Sequence, residues 1–346
     1  MLDLTSGSLP PLSLDLSIVV PVFRSEDCLN ELVSELMAEL RRTNWTYEII
    51  LVNDFSPDSS WQQIESLCKK NPSVVGVDLR RNFGQDNAIL TGIRLTRGRY
   101  VAVMDDDLQH HPKFLPAMVD RAEQGFDVVF ADFKHKHHAT WKNVGSWING
   151  KIAEFVLYKP KGLYLSPYKV IRREVAEVLC GYRGFSPYID GLLLQATWRM
   201  ATIPVEHQPR FSGRGNYGFW RSLGVSARLI FSFSLAPIRF VGWVGTITAS
   251  LSLLTGAYFM ILKLNGAEQF PLEMQWWVFL MIAVFFLGGL QMFFFGVLGE
   301  YLGRTYFRVN DRVQTSVREV LNRNLQQSLD LEPRSAWENR FHDSSL

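Results

Sequence analysis

Residues 16–21, Leu-Ser-Ile-Val-Val-Pro, are a short apolar run closed by proline, which predicts a buried strand. Ser25 is placed to cap the helix that follows, with Glu26 and Asp27 in its first turn and Arg41 and Arg42 in its last. Leu29, Leu32, Val33, Leu36 and Leu40 give that helix one apolar stripe. The rhythm then repeats. Strands are expected at 47–52, 74–79, 100–104 and 127–130, with helices near 61–69, near 87–96 and from Pro112 onward. An interval of roughly thirty residues is that of βαβ units. The expected fold is therefore α/β, a mostly parallel sheet with helices on both faces. Ligands of such sheets bind beyond the carboxyl ends of the strands. The polar segments after Pro21, Val52, Leu79 and Met104 all fall at that edge.

From Pro237 the pattern changes. Residues 237–264 are apolar with a Gly- and Ser-containing middle and one basic residue near each end, and residues 276–299 carry no charge at all. Each run exceeds the ~20 residues that cross a bilayer. The linker between them has no Lys or Arg, whereas Arg221, Arg228 and Arg239 flank one side and Arg304, Arg308 and Arg312 the other. Positive flanks stay inside, so both termini are expected in the cytoplasm. Two buried core helices are the alternative. Residues 217–235 mix Phe, Trp, Leu and Arg, the composition of helices lying in a membrane interface. The reading divides the chain into a disordered lead-in (1–15), a cytoplasmic α/β domain (16–215), interfacial helices (216–236) and two transmembrane helices (237–299). A short external loop (265–275) joins the spans, and a cytoplasmic tail (300–346), one helix and then disorder, follows.

Composition adds three points. At 346 residues the chain can bury a sizeable core. A formal net charge of +2 gives no reason to expect nucleic acid as a partner. Cys28, Cys68 and Cys180 are far apart, with no metal or redox spacing, as expected of buried thiols in a reducing compartment. The first residues hold no Lys or Arg and two prolines, unlike a secretory signal.

Candidate chemistry concentrates in Met-Asp-Asp-Asp-Leu-Gln-His-His-Pro, residues 104–112. Like charges this close raise one another's pKa, so a cation is expected to balance them. In extended backbone, Asp105, Asp107 and Gln109 would point the same way. Two carboxylates and an amide oxygen suit Mg2+ or Mn2+. The alternative is a solvated turn leading into a helix. Asp54, after the second strand, is either an acceptor for a base N–H or an Asx-turn residue. The segment Arg80-Arg-Asn-Phe-Gly-Gln85 either closes over a ribose or base through Asn82 and Gln85, or is a basic surface loop. Basic residues recur at Lys134, Lys136, Lys142, Lys169, Arg172, Arg173, Arg210 and Arg214, either for phosphate or as a solvated or lipid-facing surface. His135, His137 and His138 are read as part of a basic loop rather than a metal site. Asp190 is an acceptor-side residue or a helix cap.

The segments VVPVFRSED, ILVNDFSPDSS, RRNFGQDNA and MDDDLQHHP, in this order, resemble glycosyltransferase family 2, whose fold is GT-A. The similarity runs on through IPVEHQPRFSGRGNYGF and LGEYLGRTYFRV, covering about residues 16–315, and with the membrane pair it resembles the polyprenyl-phosphate glycosyltransferases. The resemblance implies that Pro21, Phe23 and Glu26 line a nucleotide pocket and that Asp54 reads the base. It puts Asp105 and Asp106 near ribose and metal, and Asp107 and Gln109 on the metal that bridges the donor diphosphate. Arg210 matches a basic residue that meets phosphate, and Tyr217 a tyrosine where the chain turns toward the membrane. Asp105, Asp107 and Arg210 are the expected catalytic residues. Lys134, Lys169, Arg173, Arg210, Arg214 and Tyr217 are expected around the acceptor phosphate. The chain departs from the family at Asn53 and Phe55, where Asp and Gly are common, at Leu163, where an Asp is common, and at Asn216, where a Lys is common.

The activity implied is inverting transfer of a sugar from a nucleotide-diphosphate sugar, UDP-linked by family habit, to a polyprenyl phosphate. The setting implied is the cytoplasmic face of a bacterial inner membrane. A lipid phosphate, with a second pKa of about 6, attacks without prior deprotonation. A homo-oligomer is a further expected partner. The alternatives are a processive polysaccharide synthase, which usually has more spans and a Gln-x-x-Arg-Trp motif, and a catalytically inactive membrane scaffold.

Overall fold

The computed structural model describes residues 9–133, 160, 162–184, 187–205, 238, 240–245, 247, 250, 254, 261, 273–309 and 314–323. Eight strands form one sheet: β1 Leu14–Val22, β2 Tyr47–Asn53, β3 Val74–Leu79, β4 Gly98–Val103, β5 Val128–Phe133, β6 Lys169–Arg172, β7 Met200–Val205 and β8 Val317–Leu321. Their order across it is β7-β5-β6-β4-β1-β2-β3-β8. Strands β1 to β4 are buried apolar runs, as parallel strands covered on both faces must be. Helices α1 Leu29–Leu40, α2 Ser60–Lys70, α3 Gln85–Ile93 and α4 Leu115–Glu123 alternate with them. The five residues of the α1 stripe are all buried. Helices α5 Arg173–Cys180 and α6 Ile189–Ala196 lie between β6 and β7.

The sheet is mixed. Strands β1/β2, β1/β4, β2/β3 and β5/β7 pair parallel. β6 runs antiparallel to both β4 and β5, separating two strands that follow one another in sequence. β8 runs antiparallel to β3. The tail thus differs from the expected helix and disorder. Residues 317–321 pair with the outer edge of β3, and the Asn322 side-chain amide donates to the carbonyls of Cys68, Asn71 and Val74. Capping an edge strand in this way satisfies a row of otherwise open backbone groups.

The chain divides into two compact units, and the sheet with its helices, β8 included, belongs to the first. The second contains α7, Glu273–Val309, which runs past the expected end of the span at 299. Within α7, Phe286–Gly303 is long and apolar enough to cross a membrane, and Phe286, Leu287, Phe293, Phe295, Leu298 and Leu302 are exposed. Of the first expected span, 237–264, residues 238, 240–245, 247, 250, 254 and 261 are described, and the interfacial segment 216–236 lies outside the described residues.

Candidate active site

Four loops leave the carboxyl ends of β1 to β4, and hydrogen bonds join them into a ring. The first loop is tied to the fourth: the Phe23 N–H donates to Asp106 Oδ2 at 3.2 Å, and the Ser25 hydroxyl donates to the same oxygen. The first is also tied to the second. Arg24 N–H donates to Ser56 Oγ, Ser25 N–H to Ser60 Oγ, Glu26 N–H to Asp58 Oδ2, and Ser59 N–H returns to Glu26 Oε2. The second is tied to the third, because Asp54 accepts from Phe83 N–H at 2.7 Å and Gly84 N–H at 2.9 Å. Asn82 Nδ2 donates to the Asp54 carbonyl at 3.1 Å. The third is tied to the fourth, because Gln85 Nε2 donates to Asp105 Oδ1 at 2.7 Å.

Ser25 therefore does not cap the first helix. Its hydroxyl is committed to Asp106, and α1 begins only at Leu29. Nor does the segment after β4 stay extended. It bends after Val103, Leu108 takes a left-handed φ of 58°, and Asp107 Oδ1 accepts from the Gln109 N–H at 3.2 Å. The alternation expected of Asp105, Asp107 and Gln109 is replaced by an Asx-type turn. Arg24 and Phe55 share the left-handed conformation, with φ of 59° and 55°. Phe55 stands where the family commonly has glycine, the residue that adopts this conformation without a Cβ penalty. Three such residues in three adjacent loops mark an edge whose backbone is held against local preference.

Electrostatics follow from burial. Asp54 is 3% exposed, and desolvation pushes its carboxyl above the ordinary range against the opposing pull of the Phe83 and Gly84 N–H groups. Asp106 is raised chiefly by desolvation, opposed by the bonds from Ser25 and Phe23. Asp105 and Asp107 remain half-exposed. Phe23 and Phe55, 44% and 52% exposed, offer aromatic faces at the rim.

The glycosyl transferase family 2 pattern matches residues 17–180, a stretch that holds all four loops. An uncharacterized glycosyltransferase of Synechocystis is 32% identical over 305 residues, which is 87% of this chain and 94% of that protein. The chain belongs to glycosyltransferase family 2. An undecaprenyl-phosphate 4-deoxy-4-formamido-L-arabinose transferase of Shewanella sediminis is 31% identical over 88% of this family 2 chain and 92% of its own length. Among solved structures, glucosyl-3-phosphoglycerate synthase of Mycobacterium tuberculosis, in complex with Mn2+, UDP and phosphoglyceric acid, matches with a TM-score of 0.47. Its identity is 19%, over 63% of this chain and 77% of that one.

In this glycosyltransferase family 2 chain, Pro21, Phe23, Glu26, Asp54, Asn82, Gln85, Asp105, Asp106, Asp107 and Gln109 all lie on or beside the ring. Glu26 and Asp106 bind neighbouring loops, and Pro21 is buried at the end of β1. Two expected phosphate residues are placed otherwise. Lys169 sits level with Val103 at the carboxyl edge, but it is 3% exposed and its ammonium pairs with Asp190. Arg173 follows Arg172, which is level with Tyr100 near the opposite, amino edge; its guanidinium binds the Pro10 carbonyl and Glu177. The antiparallel course of β6 carries Arg173 away from the four-loop edge where it was expected. Leu163 is buried. Lys134, Arg210, Arg214 and Tyr217 lie outside the described residues. Sequence reasoning missed Ser56, Asp58 and Ser60, which with Ser25 stitch the first two loops; their clustering in the turn between Asn53 and Ser60 was the available signal.

Proposed function

We propose that this family 2 chain transfers a sugar from a nucleotide-diphosphate sugar, UDP-linked, to a polyprenyl phosphate at a membrane surface, with inversion at C1. The observation that carries this reading is the closed ring of four loops, with half-exposed Asp105 and Asp107 and open aromatic faces at Phe23 and Phe55. It is also supported by the 31% identity to a transferase named for undecaprenyl phosphate, over nearly the whole of both chains. The apolar stretch of α7 suits an enzyme whose acceptor is a membrane lipid.

Phe23, Asn82 and Gln85 border the nucleotide in this reading. Asp54 retains acceptor capacity for a base N–H, since a carboxylate offers about four lone-pair sites. Among the described residues no group of three His, Cys, Asp or Glu side chains is arranged to hold a metal ion. That donor set still fits Mg2+ or Mn2+, which commonly take one or two carboxylates and complete their shell with phosphate oxygens. Asp105 and Asp107, with Gln109, would hold the ion, and its chemistry is the screening of the donor diphosphate charge. The acceptor phosphate oxygen attacks C1, the bond from C1 to the diphosphate breaks, and the nucleoside diphosphate leaves with the electron pair. Arg210, Arg214, Lys134 and Tyr217 are proposed to meet the two anions, which must be brought together against their repulsion. The catalytic unit and both termini are assigned to the cytoplasmic side, from the basic flanks of the spans.

The test is the full chain in lipid nanodiscs with undecaprenyl phosphate and a panel of nucleotide sugars, with and without Mg2+ or Mn2+. A lipid-linked sugar is expected from at least one donor. No lipid product from any donor, under conditions where the protein is folded, refutes the reading.

A further inference from the structure

The strand that follows the apolar helix does more than cover an edge. Asp78, near the end of β3, is 1% exposed. Its parallel register partner on β2 is Asn53, whose Nδ2 donates to Asp78 Oδ1 at 2.6 Å. From the other side, Arg318 on β8 places its Nε against Asp78 Oδ2 in an ion pair, and the Arg318 side chain stays 48% exposed. A buried carboxylate with a single neutral donor would be poorly compensated, and the guanidinium supplies what is lacking. The other end of the Asn53 amide faces the site: its Oδ1 accepts the Ser56 N–H at 3.2 Å. That bond closes the turn 53–56 around Phe55, whose left-handed φ of 55° persists only where neighbours over-determine it. Ser56 Oγ then accepts from Arg24 N–H, at the second left-handed residue of the ring.

We infer that Arg318 is a positioning residue for the donor site, acting through Asp78 and Asn53 to hold the turn that presents Asp54 and Phe55. This rests on the reading of the ring as a nucleotide-sugar site. It gives the segment after α7 a part in catalysis although it touches no substrate. It also gives the Asn53 departure a physical role: an amide donates to Asp78 and accepts from Ser56 at once, which a carboxylate does not. Burial raises the Asp78 carboxyl, and the bonds from Asn53 and Arg318 pull it back.

The experiment uses the full chain in nanodiscs, with UDP and Mn2+ as probe. UDP affinity is measured by calorimetry; donor KM, acceptor KM and kcat are measured in the transfer assay. Arg318→Gln is expected to weaken UDP and raise donor KM by about tenfold, with kcat and acceptor KM within about twofold. Arg318→Lys, which keeps the charge, is expected to recover most of the loss and serves where the Gln variant fails to fold. In an Asn53→Ala background the Arg318→Gln change should cost less than about twofold, because the relay is already cut. Unchanged UDP affinity and donor KM in Arg318→Gln overturns the inference while leaving the transferase reading intact. So does a parallel fall of kcat with a rise of both KM values, or full additivity with Asn53→Ala. A wild-type chain that binds no nucleoside diphosphate with either cation overturns the reading itself, and the inference with it.

Discussion

The Asp54 carboxylate holds the backbone N–H of Gly84 at 2.9 Å, across from β2 to the start of α3. Its other oxygen holds Phe83. Removing both acceptors leaves two N–H groups short of partners, at a cost of about 1–3 kcal/mol. Asp54→Ala should therefore lower Tm and raise donor KM by about tenfold, with acceptor KM little changed. Thermal melts and initial rates against donor concentration check this; unchanged donor KM would show that the 82–85 loop does not border the nucleotide.

Asp107 and Asp105 have different neighbours: Asp107 accepts from the Gln109 N–H and Asp105 from Gln85 Nε2. Asp107→Asn keeps the turn's acceptor oxygen and removes the charge. Transfer should fall by about a hundredfold or more, as when a charge-stabilising group is lost, with membrane insertion unaffected. Chelation of divalent cations from the wild type should give a comparable loss, reversed by Mn2+. Undiminished turnover in both experiments would remove the ion from the mechanism.

Asp106 supplies a pH signature. Burial dominates its environment and raises its pKa above the ordinary 3.8. A carboxyl raised on folding binds more protons in the folded than in the unfolded state. Its contribution to stability therefore falls as pH rises from 3.8 to the raised value and stays unfavourable above it. Asp106→Asn abolishes that titration while leaving an oxygen for Ser25 and Phe23. The Tm of the variant minus that of the wild type should become more positive as pH increases from about 4 toward neutrality. A difference that is flat or falls with pH would contradict the assignment.

Gly98 opens β4 where it passes β1. A Cβ there would lie 2.5 Å from Ser17 N and 2.7 Å from Leu16 C, backbone atoms that cannot move alone. Gly98→Ala should destabilise the sheet by roughly 1–3 kcal/mol, the range of overpacking. Chemical denaturation followed by far-UV circular dichroism would measure it, and wild-type stability would mean that the two strands can part at little cost.

The strands most legible in the sequence are those buried on both faces. Ile18 to Val20, Ile49 to Val52 and Val101 to Val103 are apolar because no side of them meets water. β3 and β5 were legible too, whereas β6, β7 and β8 were not. β6 is only Lys169–Arg172, β7 contains Pro204, and β8 reads Val-Arg-Glu-Val-Leu. Their places come from pairing with distant partners rather than from local pattern. The site's four loops were legible because each follows a readable strand. The direction of the Asp105 and Asp107 side chains was not, because it turns on the left-handed backbone at Leu108. The distance of Arg173 from the four-loop edge was not legible either, because a basic residue beside a strand says nothing about which way the strand runs.

The order of β3, α7 and β8 along the chain has a consequence for biosynthesis. The nascent sheet leaves the ribosome with its β3 flank bare, and the strand that seals it is translated only after the apolar helix. Completion of the sheet therefore waits until the whole of α7 has been translated. A chain ending before residue 317 leaves the outer edge of β3 without its partner strand, an open row of backbone groups that templates association with other chains.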